Sequence, residues 1–303
     1  MLLNNQHNNS TNHSNGSAIN GNSSPNSLVA DSPIGANASP KRSPAQQKNS
    51  AHFRGEFVGK VIIVTGATRP FGRQMALTFG REGASLTIQG PSGERLAAVK
   101  ESLVRSGVDE RRILAISGAT TEEGTAMELV ERSLQRFGKI DALIVSVDLI
   151  SDSTEHSAAD QLFGGTMRWL VYLSALLVKP LAKTEGSIVA ISGTLPKTAM
   201  AAQWHAISRS ALAGWVANSA QMFGPKGIRI NGINVGIVRA DFRSRQAKNE
   251  DEQQNLCSSA VNALRRPGTL EEIGQVALFL ASPSRASFIS GQVISADGGT
   301  NGT

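Results

Sequence analysis

From Phe57 onward, short continuous apolar runs alternate with longer stretches of helical period. The runs are Val61–Val64, Leu86–Gln89, Ile113–Ile116, Ala142–Val147, Ser187–Ser192, Ile228–Val235 and Gln292–Ala296. They are too short for helices and apolar at consecutive positions, as strands buried on both faces of a sheet require. Between them lie amphipathic stretches near Phe71–Glu82, Glu94–Ser106, Thr121–Phe137, Ala158–Val178, His205–Phe223 and Leu270–Ala281. Right-handed crossovers leave one arrangement for so long an alternation: an α/β fold, a Rossmann-like doubly wound sheet of seven parallel strands with helices on both faces. The ligand crevice of such a sheet lies at the carboxyl ends of its strands, where the loops after Val64, Gln89, Val147, Ser192 and Val235 converge.

Lys60 to Phe79, KVIIVTGATRPFGRQMALTF, is the most informative stretch. The β-branched run ends at Thr65-Gly66, and Phe71, Met75 and Phe79 then recur at helical spacing. Strand, glycine turn and helix start in that order can turn backbone N–H groups toward an anion. The same turn also serves plain strand-to-helix packing, so the nucleotide reading needs support from elsewhere in the chain.

Composition adds boundaries. The chain has 303 residues, 40% apolar and 18% charged, enough for one large core. Residues 1–52 stand apart: Asn and Ser supply roughly two fifths of them and no apolar period appears. They are expected to form a disordered tail ahead of a folded domain over 53–303. Four Ser-Pro steps in the tail, at Ser24, Ser32, Ser39 and Ser43, are either linker composition or phosphorylation sites acting through charge near Lys41 and Arg42. No secretory stretch and no run of the ~18 apolar residues of a membrane span is found, and the single cysteine, Cys257, agrees with a reducing compartment. A soluble, cytoplasmic protein is expected. The net charge of +6 and pI of about 9.8 raise nucleic-acid binding, but the basic residues are scattered without interleaved aromatics, so a solvated surface is the better reading. No metal site is read from the sequence.

The folded part resembles the short-chain dehydrogenase/reductase family from about Phe57 to Gly299. The resemblance rests on KVIIVTGATRPFG, RFGKIDALI, GSIVAISG, SRSALAG, GPKGIRINGINVGIVRADF, RRPGTLEEIGQVALFLAS and ISGQVISADGG, in the family's order. It implies binding of NAD or NADP and hydride transfer to or from a carbonyl or alcohol, with a Tyr-x-x-x-Lys pair, a serine and an asparagine. In the family's phosphate turn, Thr65, Gly66 and Gly72 are kept, and Arg69 stands where NADP-using relatives carry a basic residue for the 2′-phosphate. No acidic residue follows Gln89 to take the ribose diol, so NADP(H) is the implied cofactor, held weakly.

At the reacting positions the sequence departs from the family. His205 and Arg209 occupy the tyrosine and lysine positions, Gly193 the serine position and Met167 the asparagine position. Ser192 and Thr194 flank Gly193, and strand alternation aims both away from the face it sees. Pro70 replaces the middle glycine of the turn, Gly118 the adenine-facing aspartate, Val145-Ser146-Val147-Asp148 the Asn-Asn-Ala-Gly segment, and Val235-Gly236 the Pro-Gly pair. Imidazole can act as a general acid at neutral pH, but Arg209 one turn on disfavours imidazolium at His205. The expectation is therefore a catalytically impaired or inactive member with no catalytic residues, a binding or oligomerisation module. The alternative is an NADP(H)-dependent oxidoreductase using His205 and Arg209; both residues also read as the partly exposed polar edge of a packing helix.

Family relatives pair subunits through the helices corresponding to Ala158–Val178 and His205–Phe223. Leu170, Leu173, Leu176 and Leu177 exceed what one sheet-facing stripe needs, so a homo-oligomer, or a hetero-oligomer with a related short-chain dehydrogenase/reductase, is expected.

Overall fold

Seven parallel strands form one sheet in the order β3-β2-β1-β4-β5-β6-β7. The computed structural model describes residues 55–147, 160–192, 199–239 and 262–300, with the backbone alone for 147, 160–162 and 199–205. The tail with its Ser-Pro steps, Asp148, Gly193, Thr194 and Cys257 lie outside the described residues. In chain order the elements are β1 Val61–Val64, α1 Pro70–Arg81, β2 Ser85–Gly90, α2 Gly93–Arg105, β3 Ile113–Ser117, α3 Glu123–Phe137 and β4 Ala142–Val147. There follow a π-helix over Asp160–Met167, α4 Arg168–Ala182, β5 Ser187–Ser192, α5 Ala199–Phe223, β6 Arg229–Val235, α6 Leu270–Ala281 and β7 Val293–Ala296. The chain reverses direction across the sheet between β1 and β4, which opens the crevice at their carboxyl ends.

Strand alternation divides the core into two layers. Ile62, Val64, Leu86, Ile88 and Ile144 face α1, α2 and α6, meeting Phe71, Met75, Phe79, Leu103 and Leu278. Ile63, Leu143, Val145, Ile188 and Ile230 face α3, α4 and α5, meeting Leu129, Leu173, Leu177, Leu212 and Val216. Each residue step along a strand changes the layer, so the continuous apolar runs fill both.

Three sequence expectations change. Leu170, Leu173 and Leu177 have no exposed surface, and Leu176 packs partly against the same layer. They belong to the internal core because α4 is covered by the sheet and also packs on α3. Its outer face is instead Val171, Ala175 and Lys179. Of the helix expected over Ala158–Val178, the first described part, Asp160–Met167, is a π-helix with i→i+5 bonding. The scattered basic residues are not all solvated either. Arg112 donates to the Ala84 carbonyl at 2.8 Å beyond the end of α1, and Arg229 is buried under the end of α6. Cations there complement the helix dipole and occupy carbonyls that have no helical partner.

Candidate functional site

The turn after β1 brings Thr65, Gly66, Arg69 and Gly72 together. Thr65 N–H donates to Ile144 O at 3.1 Å, fastening the turn to β4, and Arg69 N–H donates back to Gly66 O at 2.9 Å. Gly66 sits at φ +65°, a left-handed conformation that glycine adopts without steric cost. Gly72 is required by proximity: a Cβ on it would lie 2.3 Å from the Gly66 carbonyl oxygen. Arg69 is extended at φ −102°, ψ 159°, as the residue before proline must be, and Pro70 takes the first helical position, where no N–H is needed. The helical ladder starts with Arg73 N–H to Arg69 O. The amides of Phe71 and Gly72 therefore precede the ladder and suit a phosphate, while Pro70 contributes none.

A residue missed by sequence reasoning ties this turn to its neighbours. Gln89 has no exposed surface, and its side-chain amide accepts from Gly66 N–H at 3.2 Å and donates to Gly118 O at 2.7 Å. Its own carbonyl accepts from Ala67 N–H at 2.8 Å. The only sequence signal was a neutral amide closing an otherwise apolar strand.

Gly118 lies at the far side of the same group, with its N–H bonded to Gly90 O. A Cβ there would stand 2.2 Å from Thr125 Oγ1 and 2.9 Å from Thr125 Cβ, so threonine fills the room that a longer residue at 118 would need. Restoring the family's residue by Gly118→Asp should destabilise the fold by about 2 kcal/mol through overpacking. Adding Thr125→Ala should recover most of that loss, and urea denaturation of the two single variants and the double variant measures it.

At the other edge, Arg209 is half-buried on α5, and its Nη2 donates to Val235 O at 2.7 Å, at the end of β6. Its Nε is buried and has no hydrogen-bond partner among the described residues. Burial lowers the guanidinium pKa from its ordinary value, and the charge of Asp297 works in the opposite direction. Arg209 is thus a strap that joins α5 to the sheet from a half-buried position. Gly236, next along, is held to Ala296 O, and a Cβ on it would lie 2.5 Å from Asp297 Cα, which explains why the second residue of the Pro-Gly pair stays glycine. Ser192 is fully buried, and its hydroxyl donates to Asn234 Oδ1 at 2.7 Å across β5 and β6. Met167 packs against the second core layer at the junction of the π-helix and α4. The backbone of His205 lies in α5 one turn before Arg209. Among the described residues no group of three His, Cys, Asp or Glu could hold a metal, and no helix is long and apolar enough to cross a membrane.

A family model described as enoyl-(acyl carrier protein) reductase matches residues 66–301. Glucose 1-dehydrogenase of Gluconobacter oxydans is 27% identical over 258 residues, 82% of this chain and 94% of its own. A-factor type gamma-butyrolactone 1′-reductase (1S-forming) of Streptomyces virginiae is 30% identical over 261 residues, 81% of this chain and 97% of its own. Among solved structures, a protein from Caenorhabditis elegans determined with its cofactor matches with a TM-score of 0.70 at 26% identity, over 81% of this chain and 96% of that one.

Proposed function

The chain belongs to the short-chain dehydrogenase/reductase family, and from that premise we propose that it keeps the nucleotide turn but lacks hydride-transfer activity, acting as a binding or oligomer-forming member. The observation that carries this reading is the bond from Arg209 Nη2 to Val235 O. Where the family has a lysine ammonium free to act on the cofactor ribose and on the tyrosine, this chain has a rigid guanidinium committed to its own backbone. His205, Gly193 and Met167 at the remaining reacting positions point the same way.

The residues around the first turn fit a dinucleotide in part. Thr65, Gly66 and Gly72 shape the turn, the amides of Phe71 and Gly72 would face its pyrophosphate, and Arg69 would meet a 2′-phosphate. A bound NADP(H) would bring a hydride to exchange with a carbonyl or alcohol; the accompanying proton would have to come from the positions at which this chain carries His205 and Arg209. Relative to a fully equipped site, Pro70 removes one N–H and Gly118 one adenine contact. Two such losses at about 1 to 1.5 kcal/mol each weaken binding by about 100-fold. Isothermal titration should therefore give weak binding, NADPH ahead of NADH. Tight NADH binding would contradict the assignment.

The second reading, a working NADP(H)-dependent reductase with His205 as acid, is favoured by one observation: the named relatives are a dehydrogenase and a reductase. It is separated from the first by turnover, as argued below. Association through α4 and α5, with a second copy or a related family member, remains part of the proposal. The surface it would use is Val171 and Ala175 on α4 and Ser210, Gly214 and Ala217 on α5, small residues that permit close helix contact. The cytoplasmic, phosphorylatable tail is likewise proposed from composition alone.

A further inference from the structure

Gln89 is a polar side chain with no exposed surface at the carboxyl end of β2, between β1 and β3. Backbone pairing of β1 with β2 stops at Val64 and Ile88. Beyond that point the turn is held to β2 by Ala67 N–H on the Gln89 carbonyl, and to the segment after β3 through the Gln89 amide. β1 and β3 lie on opposite sides of β2 and share no ladder. The bridge therefore spans β2, Oε1 on the Gly66 amide and Nε2 on the Gly118 carbonyl. Only an uncharged group offering an acceptor and a donor side by side meets both partners, and a carboxylate meets the first alone. Both ends of the buried amide are satisfied, which makes the arrangement rigid rather than adaptable.

We propose that Gln89 is the positioning residue of the nucleotide turn. It holds Gly66 and Gly118 at a fixed separation, so the turn is formed before any ligand arrives. The amides of Phe71 and Gly72 then meet a phosphate without reordering, and the ordering cost that a loose glycine turn would add to binding is avoided. Gln89 touches no ligand in this scheme and acts through Gly66. The inference rests on the NADP(H) reading given above, and it assigns to an internal amide part of the organisation that the absent aspartate at 118 does not supply.

The test uses the full chain, two variants and NADPH. Gln89→Met removes both hydrogen bonds at similar volume; Gln89→Glu keeps the shape and makes the donor depend on protonation. Calorimetry with NADPH at about pH 5.5 and about pH 8 is paired with hydrogen exchange at the Gly66 amide. Gln89→Met is expected to weaken NADPH by about tenfold at both pH values and to raise exchange at Gly66. In Gln89→Glu, burial and the facing Gly118 carbonyl favour the protonated carboxyl, which raises its pKa above the ordinary glutamate value. The native state then holds a proton that the unfolded chain releases. Stability and affinity are accordingly kept at low pH and lost as pH rises through the folded value. Gln89→Glu should resemble the wild type near pH 5.5 and Gln89→Met near pH 8. Arg69, Glu94, Arg95, Glu122 and Glu123, the charged residues of the surrounding segments, are common to all three proteins, so the difference isolates position 89. If Gln89→Met binds NADPH as the wild type does, the proposal is overturned while the cofactor reading stands. If the wild type itself gives no NADPH heat at any accessible concentration, the cofactor reading falls and takes the role of Gln89 with it. A Gln89→Glu variant indifferent to pH would also overturn it.

Discussion

Replacing Arg229 by methionine is expected to lower the melting temperature by about 10 °C. Arg229 is 8% exposed, and its guanidinium donates to four carbonyls: Nη1 to Leu280 O at 2.7 Å and Ala286 O at 3.0 Å, Nη2 to Ala281 O at 3.2 Å and Ser282 O at 3.3 Å. Three of the four belong to the end of α6, where the last carbonyls of any helix lack an intrahelical donor. Burial lowers the pKa of this group from its ordinary value, but arginine stays protonated, so a buried cation is stabilised there by backbone dipoles. Methionine fills a similar volume and offers no donor. A neighbouring recess of about 20 Å³, lined in part by Lys60, Asp141, Gly186 and Pro283, has room for one water, which can meet only some of the abandoned carbonyls. The remaining loss is about 3 kcal/mol, or about 10 °C for a domain of this size. Arg229→Lys, with a single ammonium on a shorter reach, should lose about half as much. Thermal unfolding followed by circular dichroism decides the matter, and a shift below about 3 °C would mean that water replaces the guanidinium in full.

That a basic residue is placed under a helix end could not be read from the sequence, and the reason is general. The partners of Arg229, Arg209 and Gln89 are backbone carbonyls and amides, which every residue carries and none advertises. What was legible were patterns set by side chains. The runs at Val61–Val64, Ala142–Val147 and Ser187–Ser192 match β1, β4 and β5 end to end, because a strand covered on both faces must be apolar throughout. Thr65, Gly66, Arg69 and Gly72 were identified together and lie together in one turn. The start of α5 at Ala199, six residues before the expected His205, carries small residues without a period, and nothing in AMAAQW separates helix from loop. The π-helix at Asp160–Met167 differs from an α-helix in bonding, not in residue type over so short a stretch. The leucines of α4 were assigned to a subunit contact because a single helix was weighed against a single sheet; with α3 also packed on it, more of its circumference is internal. Gly118 read as a lost contact, whereas Thr125, seven residues on, had taken up its space.

No turnover is expected from the protein or from variants that restore the family's residues one at a time. Groups that act together in catalysis contribute non-additively, so one returned member has little to act through. His205→Tyr supplies an acid with no ammonium nearby to lower its pKa and, with Gly193, no hydroxyl to hold a carbonyl. Arg209→Lys supplies the ammonium, but the shorter side chain gives up the 2.7 Å bond to Val235 O that joins α5 to β6. That loss costs about 1 to 1.5 kcal/mol and should appear as a melting temperature lower by about 3 to 5 °C. The double variant should still fail, since Gly193 and Met167 remain. The measurement is NADPH oxidation against a panel of ketones and aldehydes, run on the wild type, the two single variants, the double variant and His205→Ala. A wild-type rate above background that vanishes in His205→Ala would assign the acid to His205 and make the protein a reductase. The bond from Arg209 to Val235 would then have to open during the reaction, because an immobilised guanidinium beside imidazolium disfavours the protonated form that such an acid needs.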